Sequence, residues 1–187
     1  MKITAIMGSH RNGGHTAKVL NYFLKQIADQ SALRVININK VQVKPCLGCD
    51  YCIPHQGACV IADDDMAGIS ADIFASELLI IASPVYFTAF PSKLKALIDR
   101  TQMAFNLKDN SGIVPKRLIF IGVGGAPSYA HQFDGMIYTL KWYNRYLRVR
   151  AMDQVTFVHS DVTPAMAQAE SLAQLDALAQ KINDGCL

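Results

Sequence analysis

The feature that most constrains this chain is an alternation. Short apolar runs at Ile3–Met7, Leu33–Ile38, Leu78–Ala82, Arg117–Val123 and within Val149–Val158 are separated by segments whose apolar residues recur at helical spacing. In those segments Ala17, Leu20, Phe23, Leu24 and Ile27 fall on one helical face, as do Met66, Ile69 and Ile73, then Leu94, Leu97 and Ile98. Further helices are expected over Gln132 to Leu147 and over Pro164 to Ile182. Runs apolar at nearly every position are strands buried on both faces. Strands alternating with helices require crossover connections, and so a parallel sheet with helices on both sides.

Five such strands predict an α/β doubly wound sheet of the flavodoxin-like order 2-1-3-4-5. In that order the connection reverses between strands 1 and 3, and ligands lie beyond the carboxyl ends of those strands. The loops after the first and third strands then lie side by side despite their distance in sequence. At 187 residues, 51% hydrophobic and 18% charged, the chain is long enough for one sizeable core. Without repeats or linkers, residues 1–187 read as one domain.

The loop after the first strand has the chemistry of an anion cradle. Gly8 ends the strand, and Ser9, Arg11, Asn12, Gly13, Gly14 and Thr16 supply hydroxyls, a guanidinium and unhindered N–H groups at the start of a helix. Unpaired N–H groups and the positive end of the helix dipole favour a phosphate there. A Walker A loop is excluded, because the lysine position is Gly14. A dinucleotide fingerprint is excluded too: position 10 is His, and the second strand ends in Asn37 and Asn39 rather than an acid. One phosphate monoester fits better than a pyrophosphate, with an ordinary strand-to-helix turn as the alternative.

The third strand stops at Ser83-Pro84-Val85-Tyr86-Phe87, a loop that offers backbone donors and two aromatic faces to a planar heterocycle. Core packing is the alternative for Phe87, whereas the hydroxyl of Tyr86 favours a polar setting. A further glycine-rich loop, Gly124-Gly125, closes the fourth strand. Asp63, Asp64 and Asp65 suit the N-terminus of the second helix. Asp99 and Arg100 read as a surface or interface pair on the third helix. His55, Tyr129 and His131 are loop residues able to donate protons, although exposed loop histidines are usually only solvated.

The net charge of +3 comes from scattered Lys and Arg, which leaves a nucleic-acid surface unsupported. No apolar stretch is long enough for a membrane span, and the first residues lack a signal-peptide design, so a cytoplasmic protein is expected. Four of the five cysteines cluster at Cys46, Cys49, Cys52 and Cys59. In such a setting clustered thiols suggest metal, cluster or redox chemistry. The spacing suits four thiolate ligands of a 4Fe-4S cluster, with zinc and free or disulfide-paired thiols as alternatives. Cys186 has no evident partner.

Gly8-Ser9-x-Arg11 through Thr16, Pro45-Cys46-x-Gly48-Cys49-x-x-Cys52 through Cys59, Asp64-Asp65-Met66, Ser83 to Phe87 and Lys95 to Arg100 occur together and in this order. That combination resembles the NADPH-dependent FMN reductase family, and within it the iron-sulfur flavoproteins. The resemblance implies FMN held by Ser9, Arg11, Gly14, His15 and Thr16 at its phosphate, and by Pro84, Val85, Tyr86 and Phe87 at its ring system. Gly124 and Gly125 would form a third wall. It further implies NADH or NADPH as electron donor, a small-molecule or protein acceptor, and a homodimer or homotetramer. The chain departs from the family pattern at His10 and His15, where Pro and Asn are frequent. An FMN and iron-sulfur electron carrier without direct NAD(P)H use, and a phosphate-ligand sensor without redox turnover, are the competing readings.

Overall fold

A computed structural model describes residues 1–186 of the chain. The sheet is five-stranded, in the order β2-β1-β3-β4-β5, and every pairing is parallel. Its strands are β1 (Ile3–Met7), β2 (Leu33–Asn37), β3 (Leu78–Pro84), β4 (Lys116–Val123) and β5 (Val149–Phe157). The helices are α1 (His15–Gln26), α2 (Met66–Ala75), α3 (Ser92–Arg100), α4 (Gln102–Phe105), α5 (Asp134–Tyr146) and α6 (Ala169–Asn183).

Successive strand side chains face opposite ways, and this sheet divides its apolar residues accordingly. Ile3, Ala5, Ile80, Ile119 and Ile121 pack under α1 and α6. Ile6, Leu79, Ile81, Leu118 and Phe120 pack under α2, α3 and α5 on the other side. The three central strands are therefore apolar almost throughout. β2 is an edge strand, and of the near-continuous apolar run expected there only Ile36 is buried within the strand, while Val35 is 45% exposed. With a single hydrogen-bonded neighbour, β2 faces solvent over much of its surface.

Helix ends differ from the periodic pattern where a side chain has other work. α3 stops at Arg100 rather than near Met103, and the Thr101 hydroxyl donates to the Ile98 carbonyl at 2.6 Å. α5 begins at Asp134, two residues after a Gln132 whose side chain is buried against Gly124. Pro164 opens a 3-10 turn over Ala165–Ala167, and α6 starts only at Ala169. No helix among the described residues is long and apolar enough to cross a membrane.

Candidate functional site

Gly8 is where strand becomes cradle. Its N–H donates to the Ala82 carbonyl at 2.7 Å, continuing the β1–β3 pairing one residue beyond the strand. A methyl group there would meet the Ala82 carbonyl oxygen at 2.8 Å and the Leu94 side chain, so only glycine lets the loop leave at this point. The buried Ser9 hydroxyl accepts from the Arg11 N–H at 3.0 Å and folds the loop into a tight turn. Asn39 braces the loop from outside, its amide donating to the Ser9 carbonyl at 2.8 Å and to Asn12 at 3.0 Å. The asparagines that stand where a dinucleotide site has its acid thus shape this loop.

α1 follows with Gly14 as its first flanking residue and no side-chain cap. Among the described residues the N–H groups of His15, Thr16 and Ala17 find no acceptor. These uncapped donors, the buried Thr16 hydroxyl and the Arg11 guanidinium, which has no carboxylate partner among the described residues, suit a bound dianion. His15 Nδ1 accepts the Ala165 N–H at 3.4 Å, which leaves Nε2 free to donate.

The loops ending β1, β3 and β4 enclose an open cleft of ≈ 800 Å³. Ser9, Arg11, Gly14, His15 and Thr16 line one side of it, Pro84, Val85 and Tyr86 the next, and Gly125 the third. Phe87 and Gly124 do not line it. Phe87 is wholly exposed, which removes the core-packing alternative. The Val85 N–H donates to the Val123 carbonyl, and Tyr86 and Ala89 exchange N–H bonds of 3.0 and 2.9 Å. Phe87 and Thr88 lie between them at φ +50° and +60°. Gly124 is set back, with the Gln132 side chain where its Cβ would be.

Ser160 and Asp161 also line the cleft, and the sequence reading missed them. Residues after β5 pair with the β4 loop: His159 N–H to Ala126 carbonyl, Ser160 to Gly124 and Asp161 to Gly125. The Asp161 carboxylate then fills the space beside Gly125, with Cγ 2.7 Å from where a Cβ would stand. The available signal was positional, since strand order places the end of β5 next to that of β4.

The cysteines occupy a second site. Cys46, Cys49, Cys52 and Cys59 all line one cavity, together with Arg100 and Met103. All are free thiols. Among the described residues no group of three ligating side chains converges on one point. Zinc requires such convergence, at ~2.3 Å from each sulfur. A cubane cluster presents four separate irons to four thiolates, so a shared cavity suits it better. The Asn106 amide donates to Cys52 Sγ at 3.0 Å. Tyr51, which also lines this cavity, stacks in parallel on His55 at 3.7 Å.

Arg100 is not the surface residue expected beside Asp99, which pairs instead with Lys95. Arg100 is buried and bound to Asp64 at 2.5 Å. The three acids before α2 tie its approach to residues 42–44, Asp63 to the Lys44 ammonium, Asp64 to the Lys44 N–H and Asp65 to the Gln42 N–H. Only Asp64 also serves the helix start, accepting from the Met66 N–H. Burial alone would raise the Asp64 pKa, but the bonds from Arg100 and from the Lys44 and Met66 N–H groups outweigh it and hold the carboxyl below its ordinary range. For Arg100, burial opposes the charge, while Asp64 and the neighbouring Cys59 more than restore it.

The sequence profile of the family described as NADPH-dependent FMN reductase matches residues 1–161. An iron-sulfur flavoprotein from Methanosarcina thermophila is 36% identical over 132 residues, covering 67% of this chain and 64% of the relative. One from Methanocaldococcus jannaschii is 32% identical over 116 residues, 60% of this chain and 59% of the relative. The chain therefore matches under two thirds of either relative's length. An FMN-dependent NADH-azoreductase from Bacillus anthracis, solved with FMN, shares the fold at a TM-score of 0.71 and 17% identity, over 98% of this chain and 100% of that one.

Proposed function

Because the chain belongs to the NADPH-dependent FMN reductase family, we propose that it is an FMN-dependent oxidoreductase that oxidises NADH or NADPH and passes the electrons to a small-molecule or protein acceptor. The observation that carries this reading is the cleft itself, where an uncapped helix N-terminus, two buried hydroxyls and an arginine without a carboxylate partner among the described residues meet the loops of β3 and β4. When bound, FMN would supply both two-electron and one-electron chemistry.

The chain's residues have distinct tasks in that reading. Ser9, Arg11, Thr16 and the first N–H groups of α1 would hold the phosphate, with His15 as a further donor. Pro84 to Tyr86 would hold the ring system, and Ser160 and Asp161 would accept from sugar-like hydroxyls at the third wall. The exposed Phe87 supports a homo-oligomer in which a second copy covers the cleft mouth. Size-exclusion chromatography with light scattering tests this, and a flavin-replete monomer overturns it.

A second reading, an FMN and iron-sulfur electron carrier that does not use NAD(P)H directly, is supported by the likeness to iron-sulfur flavoproteins. In either reading Cys46, Cys49, Cys52 and Cys59 would hold a 4Fe-4S cluster, which supplies one-electron transfer. Anaerobic mixing of the FMN-loaded protein with NADH or NADPH separates the two. Bleaching of the flavin bands supports the reductase, negligible bleaching with both nucleotides supports the carrier, and failure to retain FMN overturns both.

A further inference from the structure

Beside the bonds from Asp63, Asp64 and Asp65 to residues 42–44, the segment bearing the four clustered cysteines is clasped at its neck by one side chain from α3. Arg100 Nη1 donates to the Lys44 carbonyl at 2.9 Å, and Nη2 donates to the Ile61 carbonyl at 3.2 Å. Those carbonyls stand just before Cys46 and just after Cys59, so one guanidinium grips both ends. Each terminal nitrogen also donates to Asp64, whose side chain is 0% exposed against 1% for Arg100. Asp64 in turn accepts from the Lys44 N–H at 2.9 Å.

A guanidinium has five N–H donors in a rigid plane. The four bonds just described use those on Nη1 and Nη2. The donor on Nε is buried and has no acceptor among the described residues. Arg100 also lines the cavity of the four cysteines and lies beside Cys59. A buried donor left over next to thiolate ligands calls for an acceptor carried by the occupant of the cavity.

We propose that Arg100 is the positioning residue of the cysteine site: it clasps the loop ends so that the thiols share one cavity, and its Nε–H donates to a sulfur of the iron-sulfur cluster held there. This rests on the reading of the four cysteines as cluster ligands. A donor to sulfur, with a fixed positive charge beside it, stabilises the reduced, more negative form and raises the reduction potential.

The test uses the full chain, reconstituted anaerobically with ferrous iron and sulfide. Iron and sulfide content, resistance to a chelator and the cluster potential by EPR-monitored titration are compared between wild type, Arg100→Lys and the double variant Arg100→Gln/Asp64→Asn. The double variant removes both buried charges at nearly constant shape. It should retain FMN and its circular dichroism, lose iron to the chelator about 10–100-fold more readily, and hold its remaining cluster at a lower potential. Arg100→Lys keeps the charge but not the planar fork, and should also lower the potential. Wild-type iron retention and potential in a folded double variant overturn the proposal. If the double variant does not fold, Arg100→Lys decides by the same potential, with a wild-type value overturning the proposal. A wild-type chain that takes up no iron overturns the cluster reading itself, and the proposal with it.

Discussion

The cleft loop and the cysteine loop follow neighbouring strands, yet they are held in opposite ways. The loop from Gly8 to Gly14 is fixed by its backbone: it continues the β1–β3 pairing, closes on the Ser9 hydroxyl and is braced by Asn39. Its donors stand ready before any ligand arrives. Between β2 and α2, by contrast, the chain forms neither helix nor strand, and Gly48, Asp50, Gln56 and Gly57 all have positive φ. Its side chains are the site, and the Arg100–Asp64 clasp secures its ends from inside. A site made of backbone is paid for by the fold, whereas one made of loop side chains depends on a few buried bonds and on its occupant.

The largest effect is expected from opening the clasp on one side only. Asp64→Asn leaves the Arg100 charge buried without a counter-ion, and a loss of about 3–5 kcal/mol is expected in urea unfolding. Because the Asp64 carboxyl is held below its ordinary pKa of 3.8, its contribution is present above that value and disappears as pH falls through the lower folded value. The acid limb of the wild-type stability curve should therefore be shallower in Asp64→Asn. A loss under about 1 kcal/mol at neutral pH would place the pair among exposed salt bridges and erase the contrast between the two loops.

On the cleft side, Ser9→Ala/Thr16→Ala should weaken FMN binding rather than folding. Hydrogen bonds to a charged group contribute about 1.5–3 kcal/mol each, so flavin fluorescence titration should show at least about a tenfold weaker Kd. An unchanged Kd would count against the phosphate assignment. Gly8→Ala forces a methyl against the Ala82 carbonyl and Leu94, and a cost of about 1–3 kcal/mol is expected in thermal or urea unfolding.

The same contrast explains what the sequence made legible. Sheet order and strand placement follow from apolar periodicity, because Leu79, Ile80 and Ile81 must be buried on alternating faces wherever they lie. That the loop after β1 lines the cleft was readable, because strand order sets the ends of β1 and β3 side by side. Arg100 was misread because its helical neighbour Asp99 is an exposed acid, and nothing local indicates that Arg100 reaches Asp64, thirty-six residues earlier in the chain. Ser160 and Asp161 were missed because they reach the cleft only through the β4–β5 register. Val35 looked like core because periodicity does not distinguish an edge strand from a central one.

The smallest effect tests whether the cleft is pre-formed throughout or holds strain at its mouth. Phe87 and Thr88 carry the positive φ values of a type I′ turn between the mutually bonded Tyr86 and Ala89. Asn-Gly is the pair such a turn prefers, whereas a β-branched or aromatic residue is strained there. Since Phe87 is wholly exposed, replacing it removes no packing within the chain. Phe87→Asn/Thr88→Gly should therefore raise the stability of the flavin-free protein by about 1 kcal/mol, read from the urea midpoint. If Phe87 serves the cofactor or a second copy of the chain, the same variant should lose flavin affinity or assembly while it gains stability. A gain in stability with both functions intact would make the turn a neutral accident, and strain at the mouth would no longer set the cleft apart from the clasped loop.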